Sequence, residues 1–181
     1  MLTVVSFDLW DTLVVDGSDG PKRAQLGLPS QKEARLQALA QSIHGQRPDL
    51  SLASIRDAWD ATHSECLIDW KTQQYTPTLF ERLERVWRKL DSSRMPEMDR
   101  AIQAFGEAEL EVPPDLAPHA DSCLQQLSCC YKLVLISDAI VTPGHCLARI
   151  LQSLEIGRYF QAMVFSDQVG HSKPHRAMFD T

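Results

Sequence analysis

Four places in this chain combine residue types that do chemistry with spacings that would bring them together: Asp8, Ser137-Asp138, Ser166-Asp167 and Lys173. Each of the first three follows an apolar run of strand length, Leu2 to Val5, Tyr131 to Ile136 and Ala162 to Phe165. Continuous apolar runs of this kind read as strands buried on both faces of a parallel sheet. Parallel strands bring their carboxyl ends to one edge, where open α/β sheets hold their ligands. Lys173 lies beyond the third strand in Gly170-His171-Ser172-Lys173-Pro174-His175, at the start of a short helix. A nucleophilic carboxylate, a hydroxyl donor and a fixed cation form a coherent set for a small anionic substrate. They are the parts phosphoryl transfer needs apart from a metal.

The elements between these places must position them. Residues 113–181 read as helix, strand, helix, strand: a helix from Pro118 through Leu127, the strand ending at Ile136, a helix from Thr142-Pro143 stopped near Gly157, and the last strand. With the opening strand this is the signature of a sheet covered on both faces. Residues 17–112 read as helices without a convincing strand. Asp16 to Pro29 carries enough Gly and Pro to mark a loop. Ser30 and Glu33 have the spacing of a capping box, and Leu36, Leu39, Ala40 and Ile43 follow at helical period. A second helix fits Ser51 to Trp70, with Ile55, Trp59, Thr62 and Cys66 on one face. A third starts at Thr76-Pro77 and carries Leu79, Phe80, Leu83, Val86, Trp87 and Leu90, and a fourth runs from near Pro96 with Met98, Ile102 and Phe105. Arg82 to Lys89 mixes Glu with Arg and Lys at helical spacing and reads as a solvated face. Trp59, Trp70 and Trp87 read as core of this helical block. The organisation expected is an α/β unit of residues 1–16 and 113–181, interrupted by a helical insertion of residues 17–112.

Composition narrows the function classes. At 181 residues with 44% hydrophobic and 23% charged residues, the chain has the makings of an ordinary soluble core. Eighteen basic against 24 acidic residues, with no Lys/Arg-dense face, argue against nucleic acid or an anionic membrane as partner. No apolar run reaches the length of a membrane span, and Asp8 arrives too early for a signal peptide. The five cysteines, odd in number and without a C-x-x-C pair, fit neither a disulfide framework nor a zinc site, and read as reduced thiols of a cytoplasmic protein.

Three ordered stretches resemble the motifs of the haloacid dehalogenase-like (HAD) hydrolases. Phe7 to Leu13, F-D-L-W-D-T-L, is similar to the first, D-x-D-x-T; L-V-L-I-S-D is similar to the second; and V-F-S-D-Q-V-G-H-S-K-P-H is similar to the third. The resemblance implies a Rossmann-like parallel sheet with a helical cap inserted after the first strand. It implies Asp8 as the nucleophile that forms an aspartyl intermediate, Ser137 as hydrogen-bond donor to the transferring group, and Lys173 as counter-charge. Thr12 and Asp138 join the substrate-binding set, Asp138 having a second reading as the cap of the turn at Thr142. Mg²⁺ would be held by the Asp8 carboxylate and the Trp10 main-chain carbonyl.

Trp10 stands where the motif usually has its second Asp, which protonates the leaving group and activates water. General acid–base help of this kind is worth about 10² to 10⁴ in rate. Asp11, one residue later, is the candidate replacement. Haloacid dehalogenases carry an aromatic residue and a Gly at these two places and need no metal; Trp10 follows that pattern and Asp11 does not. The family's fourth, acidic motif would lie beyond Thr181, which reads as a truncated product. The first strand would then keep an unpaired side, which favours self-association. The expectation is a hydrolase of small anionic substrates, a Mg²⁺-dependent phosphatase first, with a metal-independent 2-haloacid dehalogenase or a catalytically impaired binding protein as alternatives. His171 and His175 flank Lys173 and are expected to ligate no metal.

Overall fold

The structure, a computed structural model, describes residues 3–90 and 99–180. Strand β1 (Val4–Phe7) is followed by a tight turn and the short β2 (Val14–Val15). Five helices come next: α1 (Asp19–Gln25), α2 (Gln31–His44), α3 (Leu52–Gln73), α4 (Leu79–Lys89) and α5 (Asp99–Glu111). The chain returns through β3 (Asp115–Leu116) to α6 (Ala120–Ser128), β4 (Lys132–Ser137), α7 (Gly144–Ser153), β5 (Phe160–Phe165) and the short α8 (Ser166–Val169).

The main sheet is parallel, in the order β1-β4-β5, with Val5 opposite Leu133 and Leu135 opposite Met163. In β4 the side chains alternate as a pleated strand requires. Leu133 and Leu135 enter the larger apolar cluster with Leu124 of α6 and Leu147, Ile150 and Leu151 of α7. Val134 and Ile136 face a smaller cluster with Val164 and Met178. The opening strand departs from its expected burial: Val4 is 45% exposed, because β1 lies at the sheet edge with β4 on one side. Leu2 lies outside the described residues. Phe7 still ends the strand, so Asp8 is the first residue past it.

Residues 17–112 hold no strand among those described, and their buried apolar side chains form a separate cluster built on Leu36, Leu39, Ile55, Trp59, Leu83, Trp87 and Phe105. Local chemistry accounts for the helix starts. Ser30 accepts from the Glu33 amide, but Glu33 turns its carboxylate to Arg56 instead of closing the box. The complete capping box is at Thr78 and Glu81, which begins α4 two residues later than Thr76-Pro77 would. Three expectations are corrected here. The stretch from Asp16 to Pro29 contains α1 and is not a plain loop. Phe80 is 48% exposed and lies off the apolar stripe, whereas Arg82, expected on a solvated face, is 1% exposed. The expected start of the fourth helix, Pro96 with Met98, lies outside the described residues. Composition and periodicity also gave no sign of the antiparallel pair β2–β3, Val14 opposite Leu116, which joins the chain where it leaves and re-enters the sheet region.

Candidate functional site

Asp8, Trp10, Asp138 and Lys173 line one cleft of about 370 Å³, together with Asp16, Gln31, Arg35, Trp70, Glu109 and the Ala139–Thr142 loop. Asp8 is set there by β1. The turn after it closes on the Leu9 carbonyl, which accepts from the amides of Thr12, Leu13 and Val14. Lys173 arrives from the far side of the sheet. Its Nζ is 2.5 Å from Asp8 Oδ1 and 3.2 Å from the Ile136 carbonyl oxygen, so it bridges the ends of β1 and β4. The Lys173 amide donates to Asp138 Oδ1 at 3.0 Å. Asp138 therefore holds the loop that presents the lysine.

The other expected residues lie elsewhere. Ser137 is fully buried, its hydroxyl donates to the Asp138 carbonyl at 3.3 Å, and it does not line the cleft. Thr12 is exposed and outside the cleft. Asp11 sits at φ 53°, a left-handed conformation that Asp tolerates better than most residues, and its Oδ1 accepts from the Asp16 amide at 3.1 Å. It ties off the turn instead of facing the cavity. The polar pair after β5 is a support. Ser166 Oγ accepts from the Ala139 amide at 2.8 Å, and Asp167 Oδ2 accepts from the Gly144 amide at 3.0 Å, at the start of α7. Burial raises the Asp167 pKa against the hydrogen bond from Gly144. His171 and His175 stack on each other, ring centroids 3.7 Å apart.

The cleft wall opposite Asp8 comes from the helical insertion. Arg35, 7% exposed, donates to Glu109 Oε2 at 3.2 Å, to Thr142 Oγ1 at 2.7 Å and to the Phe105 carbonyl at 3.3 Å. Thr142 in turn donates to Glu109. Burial lowers the Arg35 pKa, an effect that Glu109 opposes. Trp70, expected in the helical core, is a cleft residue, while Trp59 and Trp87 are buried in the core as expected. A signal for Arg35 was present: residues 35, 39 and 43 share one helix face, so it interrupts the stripe of Leu39 and Ile43.

Asp8 and the Trp10 carbonyl are hard oxygen donors of the kind Mg²⁺ accepts. Among the described residues, however, no group of three His, Cys, Asp or Glu side chains is placed to hold a metal ion. Asp8 Oδ1 is engaged by Lys173 Nζ and Asp138 Oδ1 by the Lys173 amide. One oxygen of each of these two carboxylates is thus already taken by Lys173.

Sequence comparison is uninformative: no family model and no curated protein matches this chain. Structure comparison is decisive for the fold. A 2-haloacid dehalogenase from Pseudomonas syringae pv. tomato superposes with a TM-score of 0.57 at 17% identity over 99% of this chain and 70% of that one. The fold is that of the haloacid dehalogenase-like hydrolases. A HAD phosphatase from Thermococcus onnurineus gives a TM-score of 0.55 at 14% identity, covering 99% of this chain and 68% of that one. Magnesium-bound YfnB from Bacillus subtilis gives 0.52 at 15%, over 99% and 70%. This chain spans between 68% and 70% of the lengths of these three structures. In this chain Asp8, past the end of β1, brings the parallel β1-β4-β5 sheet to the cleft.

Proposed function

We propose that this chain is a hydrolase in which Asp8 is the nucleophile and Lys173 its counter-charge, acting on a small phosphomonoester. The observation that carries the reading is the 2.5 Å contact between Lys173 Nζ and Asp8 Oδ1 at one end of a 370 Å³ cleft. Asp8 is 44% exposed on its side chain, so a substrate has access to it. In the first step a carboxylate oxygen of Asp8 attacks phosphorus and the leaving oxygen departs with its electron pair. Lys173 offsets the charge that Asp8 and the phosphoryl group bring together. Water then cleaves the acyl phosphate and restores the carboxylate. The separate apolar cluster of residues 17–112 supports the division into a core of 1–16 and 113–181 and a helical cap, and the odd number of cysteines supports a reducing, cytoplasmic setting. The open edge of β1 supports self-association.

A second reading, displacement of halide from a 2-haloacid by the same Asp8, is favoured by one specific observation. Trp10 lines the cleft while Asp11 faces away from it, so the cleft lacks the acid–base carboxylate that a phosphatase of this fold would use at that turn. The two readings separate in one set of assays with p-nitrophenyl phosphate and 2-chloropropionate, each with and without Mg²⁺, beside Asp8→Asn. Phosphate release that falls about 10³-fold or more in Asp8→Asn supports the first reading, and chloride release with the same dependence supports the second. Equal turnover by Asp8→Asn overturns both. Binding without turnover, seen as thermal stabilisation by either compound, identifies an impaired binding protein.

A further inference from the structure

Arg82 is a deeply buried charge that no carboxylate touches among the described residues, Asp167 acting on it only through space. It is 1% exposed and forms no ion pair among the described residues. Its guanidinium crosses from α4 to the loop after β4, where Nη1 donates to the Ile140 carbonyl and Nη2 donates to the Val141 carbonyl at 3.0 Å. Nε is buried without a partner. Burial drives the Arg82 pKa down to about 10. A buried cation satisfied only by carbonyls costs stability, and an apolar side chain of similar length would serve the core as well or better. Stability therefore does not account for an arginine at this position.

Its partners do. Ile140 and Val141 line the cleft, and every residue from 139 to 142 is held from outside the loop. Ser166 takes the Ala139 amide, Arg82 the next two carbonyls, and Arg35 the Thr142 hydroxyl. Among the described residues Arg82 is the anchor of the middle two, and it approaches from the helical insertion. We propose that Arg82 is a positioning residue, which fixes the Ile140–Val141 wall of the cleft from α4 and so sets how tightly substrate is held. This rests on the hydrolase reading given above.

The test compares wild type with Arg82→Met and Arg82→Lys, reading melting temperature, kcat and KM on whichever of the two substrates wild type turns over, and amide hydrogen exchange across residues 138–145. Arg82→Met is expected to melt at or above the wild-type temperature. Its kcat/KM is expected to fall about 10- to 100-fold, carried by KM, with faster exchange in the 138–145 peptide. Arg82→Lys keeps the charge but not the fork, and is expected to recover part of the loss. Wild-type KM and wild-type exchange in Arg82→Met, or a lowered melting temperature with KM unchanged, overturns the assignment. Should Arg82→Met fail to fold, Arg82→Lys carries the test: faster exchange supports the proposal and unchanged exchange overturns it. The exchange arm needs no turnover. If wild type hydrolyses neither substrate, the hydrolase reading fails while the anchoring of the loop is still decided.

Discussion

At the residue scale, the proposed chemistry rests on the contact between Asp8 and Lys173. Lys173 also reaches the Ile136 carbonyl, so removing its charge leaves a cleft with Asp8, Asp16, Glu109 and Asp138 against Arg35 alone. Lys173→Met is expected to keep the fold and to lower kcat about 10²-fold on the substrate that wild type turns over, because the negative charge that Asp8 and the substrate bring together loses its fixed counter-ion. Steady-state kinetics beside a circular dichroism melt would check this, and wild-type kcat would count against the role given to the lysine. Asp8 was legible in the sequence because it directly follows a strand end, and Lys173 because the stretch after the last strand resembles a known motif. Ser137 was less so: a residue at a strand end faces one side or the other by half a pleat, and here its hydroxyl turns inward. Arg35 and Arg82 were hardest to read, since a long cationic side chain in an amphipathic helix has the same spacing whether it lies on the solvent side or inside. Their place on the apolar stripes of α2 and α4 is the trace they left.

At the scale of elements, close approach around α7 decides how the cleft is held together. A Cβ built on Gly144 would lie 2.4 Å from the Phe165 Cβ and 2.8 Å from Asp167 Oδ1. Gly144→Ala should therefore cost about 1 to 3 kcal/mol, typical of an overpacked core, and should loosen the Ser166-Asp167 support beneath the cleft loop. Denaturant unfolding would measure it, and an unchanged midpoint would contradict the packing described. Gly106 makes a similar approach to the Cys146 Sγ, 2.2 Å from a built Cβ, where α5 passes α7. Strand and helix order in this part was readable from the sequence, since β4 is a continuous apolar run of strand length and α7 repeats its apolar residues at the helix period. The short elements α1, β2 and β3 were not. Seven residues with an internal Gly and Pro, or two residues in a strand, present too little pattern, and their pairing is fixed by contacts distant in the chain.

At the scale of the whole molecule, burial makes stability depend on pH through His63. Desolvation and the nearby Arg82 lower its pKa from the ordinary 6.5, with Lys32 adding to the effect and Asp60 opposing it. The folded state thus holds the neutral ring, and the unfolded chain takes up the proton first. The stability this provides is complete above the ordinary imidazole value and is lost as pH falls through it. His63→Gln should close on, or overtake, the wild-type melting temperature as pH drops from about 7.5 to about 5, and parallel curves would show that His63 is not responsible.

The small β2–β3 clip also bears on how such a molecule came to be assembled. Val14 pairs with Leu116 and Val15 with Asp115, so the two points at which almost a hundred residues depart and return face each other on one rung of a ladder. Seen from the sheet, the whole helical block has the footprint of a hairpin loop. Replacing it demands two ends that meet at hydrogen-bonding distance and a substitute for the contacts that Arg35 and Arg82 make with the 139–142 loop. A lineage could thus change the cleft lining around Asp8 by exchanging this block, through recombination at the clip, without disturbing the strand that holds Asp8.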